Sequence, residues 1–513
     1  MRSLLCLLLL TLPLVADDKI TDPKLIVDAK ILSEIKDRSQ IMANLAYLSD
    51  TIGPRLTTSP NLEKANRWAE AKMTEYGLTN VHLEPWEAPI GWTRGTATMS
   101  LTSPIAKPLT VCSAGWSPGT PGPVTGPVVL FDVKTRKDLE QYKGKLKGAI
   151  LLRGKPSKVA PVTDTNYGAG RRPNAPMPKD APKEDEPKNP KPAETPKPPS
   201  DAESKDAENL QNELKDFYKN EGVACMLRDS AKPHGLLVTT GGFKEDNDRV
   251  TAKATVPSLF MTHEDYTLLY RIITEQKKVP EVTLEVTNTF TDGPVTVYNT
   301  VGELLGSEKP DEIVVLGAHL DSWDLARGTT DNGTGSCVIL ETARTLAAMA
   351  KAGHRPKRTL RFVLFTGEEQ GLHGSKNYVK RHDSELAKTS AALVHDTGTG
   401  KVLNLHLMGR TAIVPILEPE LLSLKAIGFE GLSLTSMSGT DHLPFEKAGV
   451  PGFPCKQEWD EYRFTHHTQS DTFDKAKPEN LVQGAQVLAL TAYRIADLPA
   501  MLPREKPKKD EKK

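Results

Sequence analysis

Three apolar runs in this sequence each end in ionisable residues. Ile313–Ala318 leads into His319-Leu320-Asp321, Thr359–Thr366 into Gly367-Glu368-Glu369, and Ala391–Val394 into His395-Asp396. A further acid opens Asp331-Asn332-Gly333, and two adjacent imidazoles begin His466-His467-Thr468-Gln469-Ser470-Asp471-Thr472. Histidines and carboxylates without a thiolate suit zinc or another divalent first-row metal. A carboxylate shared between two ions gives the arrangement that activates a common water for hydrolysis. Asp321, two places after His319, is spaced to orient that imidazole from behind. In Glu368-Glu369, adjacent side chains leaving a strand diverge, so one can bind metal while the other serves the water as general base.

Each signal alone has an ordinary reading. A His-x-Asp is commonly a polar turn, Glu-Glu a solvated pair, and Asp-Asn-Gly a turn or helix cap. Their weight comes from common placement. From about residue 282, strands alternate with helices such as Ser336–Ala350, which implies a mostly parallel sheet with helices on both faces. Sites in such sheets lie at the carboxyl ends of the strands. Upstream, apolar spacing predicts helices over Ile31–Leu48 and Asn61–Tyr76, with Ile52-Gly53-Pro54-Arg55 as a loop between them. Ala97–Leu101, Val128–Phe131, Gly148–Leu152, Val223–Met226 and Pro257–Met261 read as strands of a separate β-rich module, ending in a helix near Glu264–Thr274.

Taken together, His319-Leu320-Asp321-Ser322-Trp323-Asp324, Asp331-Asn332-Gly333, Gly367-Glu368-Glu369-Gln370-Gly371 and His467-Thr468-Gln469-Ser470-Asp471-Thr472 resemble the motifs of the co-catalytic zinc aminopeptidase family. The segments Asn80–Pro85, Arg355–Arg361 and Ala496–Arg504 are most similar to its carboxypeptidase Q branch. The resemblance implies an α/β fold with an inserted protease-associated domain. It divides the chain into a peptidase part over 17–110 and 281–503, with the inserted domain over 111–280. It also implies two zinc ions held by His319, Asp331 as the bridge, Glu369, Asp396 and His467, with Glu368 as general base and Asp321 behind His319. His467 matches the family's position immediately before Thr-x-x-Asp-Thr, and His466 is the alternative. Asn332 stands where many members carry a second acid. The expected activity is hydrolysis of dipeptides or short peptides, or release of N-terminal residues by an aminopeptidase, with homodimerisation also implied. A glutaminyl cyclase and a non-catalytic binding protein on the same scaffold are the competing readings. Candidates for holding a substrate's termini are Ser438-Gly439-Thr440-Asp441 and Tyr462-Arg463.

Composition narrows the field further. The 513 residues carry 66 basic and 66 acidic side chains, so no electrostatic case exists for nucleic acid. Met1-Arg2 followed by the apolar run Leu4–Leu14 reads as an export leader over residues 1–16, too short to span a bilayer. Secretion without a membrane anchor follows as the expectation. Cys112, Cys225, Cys337 and Cys455 are far apart, none in a Cys-x-x-Cys pair, and read as free buried thiols. Pro173–Pro199 is dense in proline, lysine and acids, so 157–206 reads as a disordered surface insertion, and 504–513 as a mobile tail. Gly115-Trp116-Ser117-Pro118-Gly119 has the spacing of a serine-hydrolase elbow, but Pro118 supplies no N–H for an oxyanion hole and no helix follows. No His-Glu-x-x-His occurs.

Overall fold

The computed structural model describes residues 22–159, 201–243, 256–459 and 461–506, without the side chains of 201–208 and 211–212. The expected leader, most of the proline-rich insertion and the tail beyond 506 lie outside these residues.

The larger sheet contains β1 (Thr79–Ala88), β2 (Val295–Leu304), β3 (Lys309–His319), β4 (Arg358–Phe365), β5 (Thr389–Val394), β6 (Val402–His406), β7 (Gly431–Ser433) and β8 (Gly452–Gln457). Their spatial order is β1-β2-β4-β3-β5-β8-β6-β7. The centre, β4-β3-β5-β8, is parallel, while β1, β2 and β6 pair antiparallel at the two sides. The sheet is therefore mixed, with the expected parallel arrangement confined to the strands that carry the site.

Alternation along these strands explains why both faces are covered. Val314, Leu316 and Ala318 of β3 belong to the main core with helices α1 (Pro23–Arg38), α2 (Pro60–Tyr76), α3 (Thr334–Lys351) and α4 (Pro478–Asp497). Ile313 and Val315 point the other way, onto Tyr378 and Phe445. The stretch expected as one helix over Ile31–Leu48 is broken at Ser39-Gln40, where Ser39 turns extended and the Gln40 N–H donates to Glu341 of α3 at 3.0 Å. A tertiary acceptor from α3 thus takes a backbone donor at the break.

The second sheet contains Ala97–Ser103, Lys107–Leu109, Val111–Ser113, Val124–Phe131, Ile150–Arg153, Cys225–Asp229, Ser258–Met261 and Glu281–Val286. This moves both expected boundaries of the inserted module. Strands 97–109 and 281–286, which the family-based division puts in the peptidase part although Ala97–Leu101 reads as a strand of the β-rich module, pair with each other and form one edge of this sheet, as in Met99 opposite Leu284. Local alternation looks the same in either sheet, so only long-range pairing decides membership. The insertion is also shorter than expected at its C-terminal side: residues 201–206 lie in a helix, Asp201–Glu221. Its Leu210, Leu214, Phe217 and Tyr218 recur at helical spacing and pack under Phe131 and Met226. That apolar stripe supports a helix whose first two turns are too polar to announce it. Cys112, Cys225, Cys337 and Cys455 are free and buried.

Candidate metal centre

Strand register does most of the assembly. Gly317 of β3 lies opposite Val394 of β5, so two steps further His319 comes level with Asp396. The contact follows: His319 Nε2 is 3.0 Å from Asp396 Oδ1. On the other side His319 pairs with Phe365, after which Thr366-Gly367 carries the chain to Glu368 and Glu369. Asp331 enters from the turn before α3, with Oδ1 3.5 Å from His319 Nε2 and Oδ2 3.5 Å from His467 Nε2. His467 Nε2 is also 2.8 Å from Glu369 Oε2. The structure thus brings His319, Asp331, Glu369, Asp396 and His467 into one cluster at the carboxyl edge of the sheet.

Two groups of potential ligand atoms share Asp331. His319, Asp331 and Asp396 form one, and Asp331, His466 and His467 the other, the atoms of each group within 4.8 Å of one another. His467 faces both Asp331 and Glu369, whereas His466 stacks on His467 with ring centroids 3.7 Å apart. Among the described residues His466 has no ion pair with a carboxylate.

The Asp321 carboxylate is placed differently from the expectation. His319 Nδ1 is 3.0 Å from the Asp321 backbone carbonyl and 3.7 Å from its carboxylate. That contact at Nδ1 fixes the ring with Nε2 aimed at the cluster. The carboxylate instead accepts from the Thr57 hydroxyl at 3.1 Å and from the Glu368 and Glu369 N–H groups at 3.3 and 3.4 Å. It therefore orients the turn bearing both glutamates.

The sequence assigned no role to other supports. Asp471 accepts from the Thr330 and Asp331 N–H groups at 2.5 and 3.2 Å, fixing the turn that presents Asp331. Arg55, from the loop before α2, is buried and donates to the carbonyls of Gly53, Leu320, Arg327 and Gly328, stapling that turn to the end of β3. Backbone carbonyl acceptors leave no signature in sequence, which is why Arg55 read as an ordinary loop residue. The Asn332 amide donates to the His395 carbonyl and accepts from the Gly335 N–H, a closed role inside the turn. Ser117, of the elbow-like motif, accepts from the Ser258 N–H at 2.9 Å and begins no helix.

The electrostatics call for a cation. Asp321, Asp331, Glu368, Glu369, Asp396, Asp441 and Asp471 crowd one region, and Arg55 is the guanidinium placed among them. Burial, with Asp396, Asp441 and Glu369 nearby, pushes Glu368 well above the usual carboxylate range. Burial likewise raises Asp441 and Asp471 to about 7. Asp331 is held below its ordinary value, because the imidazoles around it outweigh burial. Its Oδ2 and Glu369 Oε1 are buried without a hydrogen-bond donor among the described residues. Buried acceptors left bare cost about 1–3 kcal/mol each, more when charged. A divalent ion fits these oxygens and the imidazole nitrogens that face them.

A cavity of about 450 Å³ opens beside the cluster, lined by Asp331, Glu368, Glu369 and Asp396 and also by Leu372, Met437, Trp459 and Tyr462. Ser438 and Gly439 also border it, and Arg463 does not.

Residues 299–492 match peptidase family M28. Rat carboxypeptidase Q (Rattus norvegicus) is 29% identical over 486 residues, covering 94% of this chain and 90% of its own. A peptidase M28 precursor from Shewanella amazonensis is 26% identical with a TM-score of 0.73, covering 94% of this chain and 99% of its own. A zinc aminopeptidase from Bacillus subtilis shares the fold at 21% identity, with a TM-score of 0.59 over 88% of this chain and 94% of its own.

Proposed function

We propose, the chain being a zinc metallopeptidase with a peptidase family M28 domain, that it is an exported enzyme cleaving dipeptides or short peptides at a two-zinc centre. The observation carrying this reading is the pair of ligand groups that share Asp331. His319 and Asp396 would hold one ion, Glu369 and His467 the other, with Asp331 between them. Bound zinc supplies a Lewis acid for the scissile carbonyl and lowers the pKa of water.

The remaining work falls to the chain's own groups. Glu368 lines the cavity beside the ligand set, its N–H tethered to Asp321. In that position it is placed to take a proton from the attacking water and return it to the departing amine. Leu372, Met437 and Trp459 give the cleft an apolar wall for a substrate side chain. Ser438 and the Tyr462 phenol offer polar groups to a substrate's termini. The second sheet and its helices are read as a protease-associated domain, and the apolar run after Met1-Arg2 as an export leader.

Zinc analysis of the full chain, with assays on free dipeptides, N-blocked dipeptides and C-amidated dipeptides, tests this. Two ions per chain, with cleavage lost on blocking either end, is expected. Loss on N-blocking alone would make the enzyme an aminopeptidase. One ion with cyclisation of N-terminal glutamine would replace the reading with a cyclase, and stoichiometric zinc without hydrolysis with a binding protein.

A further inference from the structure

Away from the metal centre, a cavity of about 210 Å³ lies in the second module, near its joint with the larger sheet. Its charge is one-sided. Arg153, Arg228 and Lys215 line it, and no acid among the described residues does. Arg228 reaches it from the strand Cys225–Asp229 and Arg153 from the adjacent parallel strand Ile150–Arg153. Arg228 Nε is buried with no hydrogen-bond partner among the described residues, and its guanidinium lies over Phe260, 5.6 Å from the ring centre. Burial, then repulsion from Arg153, lowers its pKa to about 10 against a smaller opposing effect of Tyr218. Ser258, 6% exposed, lines the same cavity, and its hydroxyl also has no partner among the described residues.

Two converging guanidinium-bearing side chains and an unengaged hydroxyl form a costly arrangement if nothing binds there. Buried charge is normally paired, and an unpaired one is strongly destabilising. A guanidinium presents donors in a planar fork that matches two oxygens of a carboxylate or phosphate. We propose that this cavity binds a small oxyanion, a carboxylate or phosphate group, through Arg228 and Arg153 with the Ser258 hydroxyl as a further donor. The site is separate from the peptidase reading and does not depend on it. The oxyanion has two possible sources, a free inorganic anion or the C-terminal carboxylate of a peptide.

The test is the thermal midpoint of the full-length protein, titrated with inorganic phosphate or N-acetylglycine against sodium chloride at matched ionic strength. At least one of the two should raise the midpoint saturably. Phosphate alone identifies a free anion, and N-acetylglycine a peptide terminus. Because phosphate also binds zinc, the readout is the part of the response that Arg228→Met removes. Arg153→Gln should weaken the apparent Kd at least tenfold, and Ser258→Ala several-fold. Without ligand, Arg228→Met should melt higher than the parent, because it deletes a partly buried charge that no acid among the described residues pairs. A purely structural arginine would give the opposite shift. If Arg228→Met does not fold, Arg153→Gln and Ser258→Ala carry the comparison. The proposal is overturned if neither anion exceeds chloride, or if the response is unchanged in the variants.

Discussion

Asp471 occupies no ligand position, yet its carboxylate takes the two N–H groups that set the Asp331 turn. Asp471→Ala should cost about 1–3 kcal/mol, because it leaves both donors buried and bare. It should also weaken zinc binding about 10–100-fold, as loss of a supporting partner does. Urea unfolding and competition with a chelator measure the two effects separately. Glu368 is the contrasting case. Glu368→Gln should lower kcat by about 10²–10⁴-fold with zinc content unchanged, since only proton transfer is lost. Undiminished turnover would remove Glu368 from the chemistry. The candidate ligands and the candidate base stood out in sequence because metal chemistry restricts residue types, and the family resemblance gave each its proposed part. Arg55, Thr57 and Asp471 were not assigned roles, because their partners are backbone groups or residues far away in sequence.

At the scale of elements, close approach of α3 to the end of β5 sets the distance between Asp331 and Asp396. A Cβ on Gly335 would lie 2.2 Å from Asn332 Oδ1 and 2.4 Å from the His395 carbonyl oxygen. Gly335→Ala should therefore destabilise the protein by about 1–3 kcal/mol through overpacking. It should lower zinc affinity as well, read by chelator competition. Another link joins β1 to the helix His373–Arg381: Glu84 Oε1 is 2.7 Å from His382 Nε2 and 3.2 Å from His82 Nε2. Burial alone would raise the Glu84 pKa, but the two histidines outweigh it and hold the carboxyl below 4.5. A depressed folded pKa contributes stability above the unfolded value, and that stability is lost as pH falls through the folded one. Glu84→Gln should accordingly unfold with a shallower pH dependence below about 4.5 than the parent, measured by urea midpoints across acid pH. Helix and strand types were readable from period. The break at Ser39-Gln40 was not, since its cause is an acceptor 301 positions away.

Across the whole molecule, the second module holds one of the proposed ligands in place. The Thr239 N–H donates to the His467 carbonyl at 3.0 Å, and the Leu237 N–H to Gln469 Oε1 at 2.7 Å. His467 itself sits at φ +61°, a left-handed conformation that a non-glycine residue keeps only when its surroundings impose it. Trp323 wedges between Gly115 of the module and the His467 ring, whose centre is 6.0 Å from its own. Gln469→Ala should loosen this joint: faster amide exchange at 237–239 and 467–471, and a several-fold loss of kcat/KM. Unchanged exchange would make the module a passenger at the site. A strand-rich module was visible in the sequence, but its grip on the His467 loop was not.

Residue types and hydrophobic period were enough to pick out candidate metal-binding side chains and to put them at the carboxyl edge of a parallel sheet, because both are local properties. Three features needed the folded chain: which carboxylate braces which turn, which strands join the second sheet, and that Arg153 and Arg228 line one separate cavity. Each depends on residues brought together by strand register and long-range pairing, and a register is fixed by the burial of a whole face rather than by any short segment.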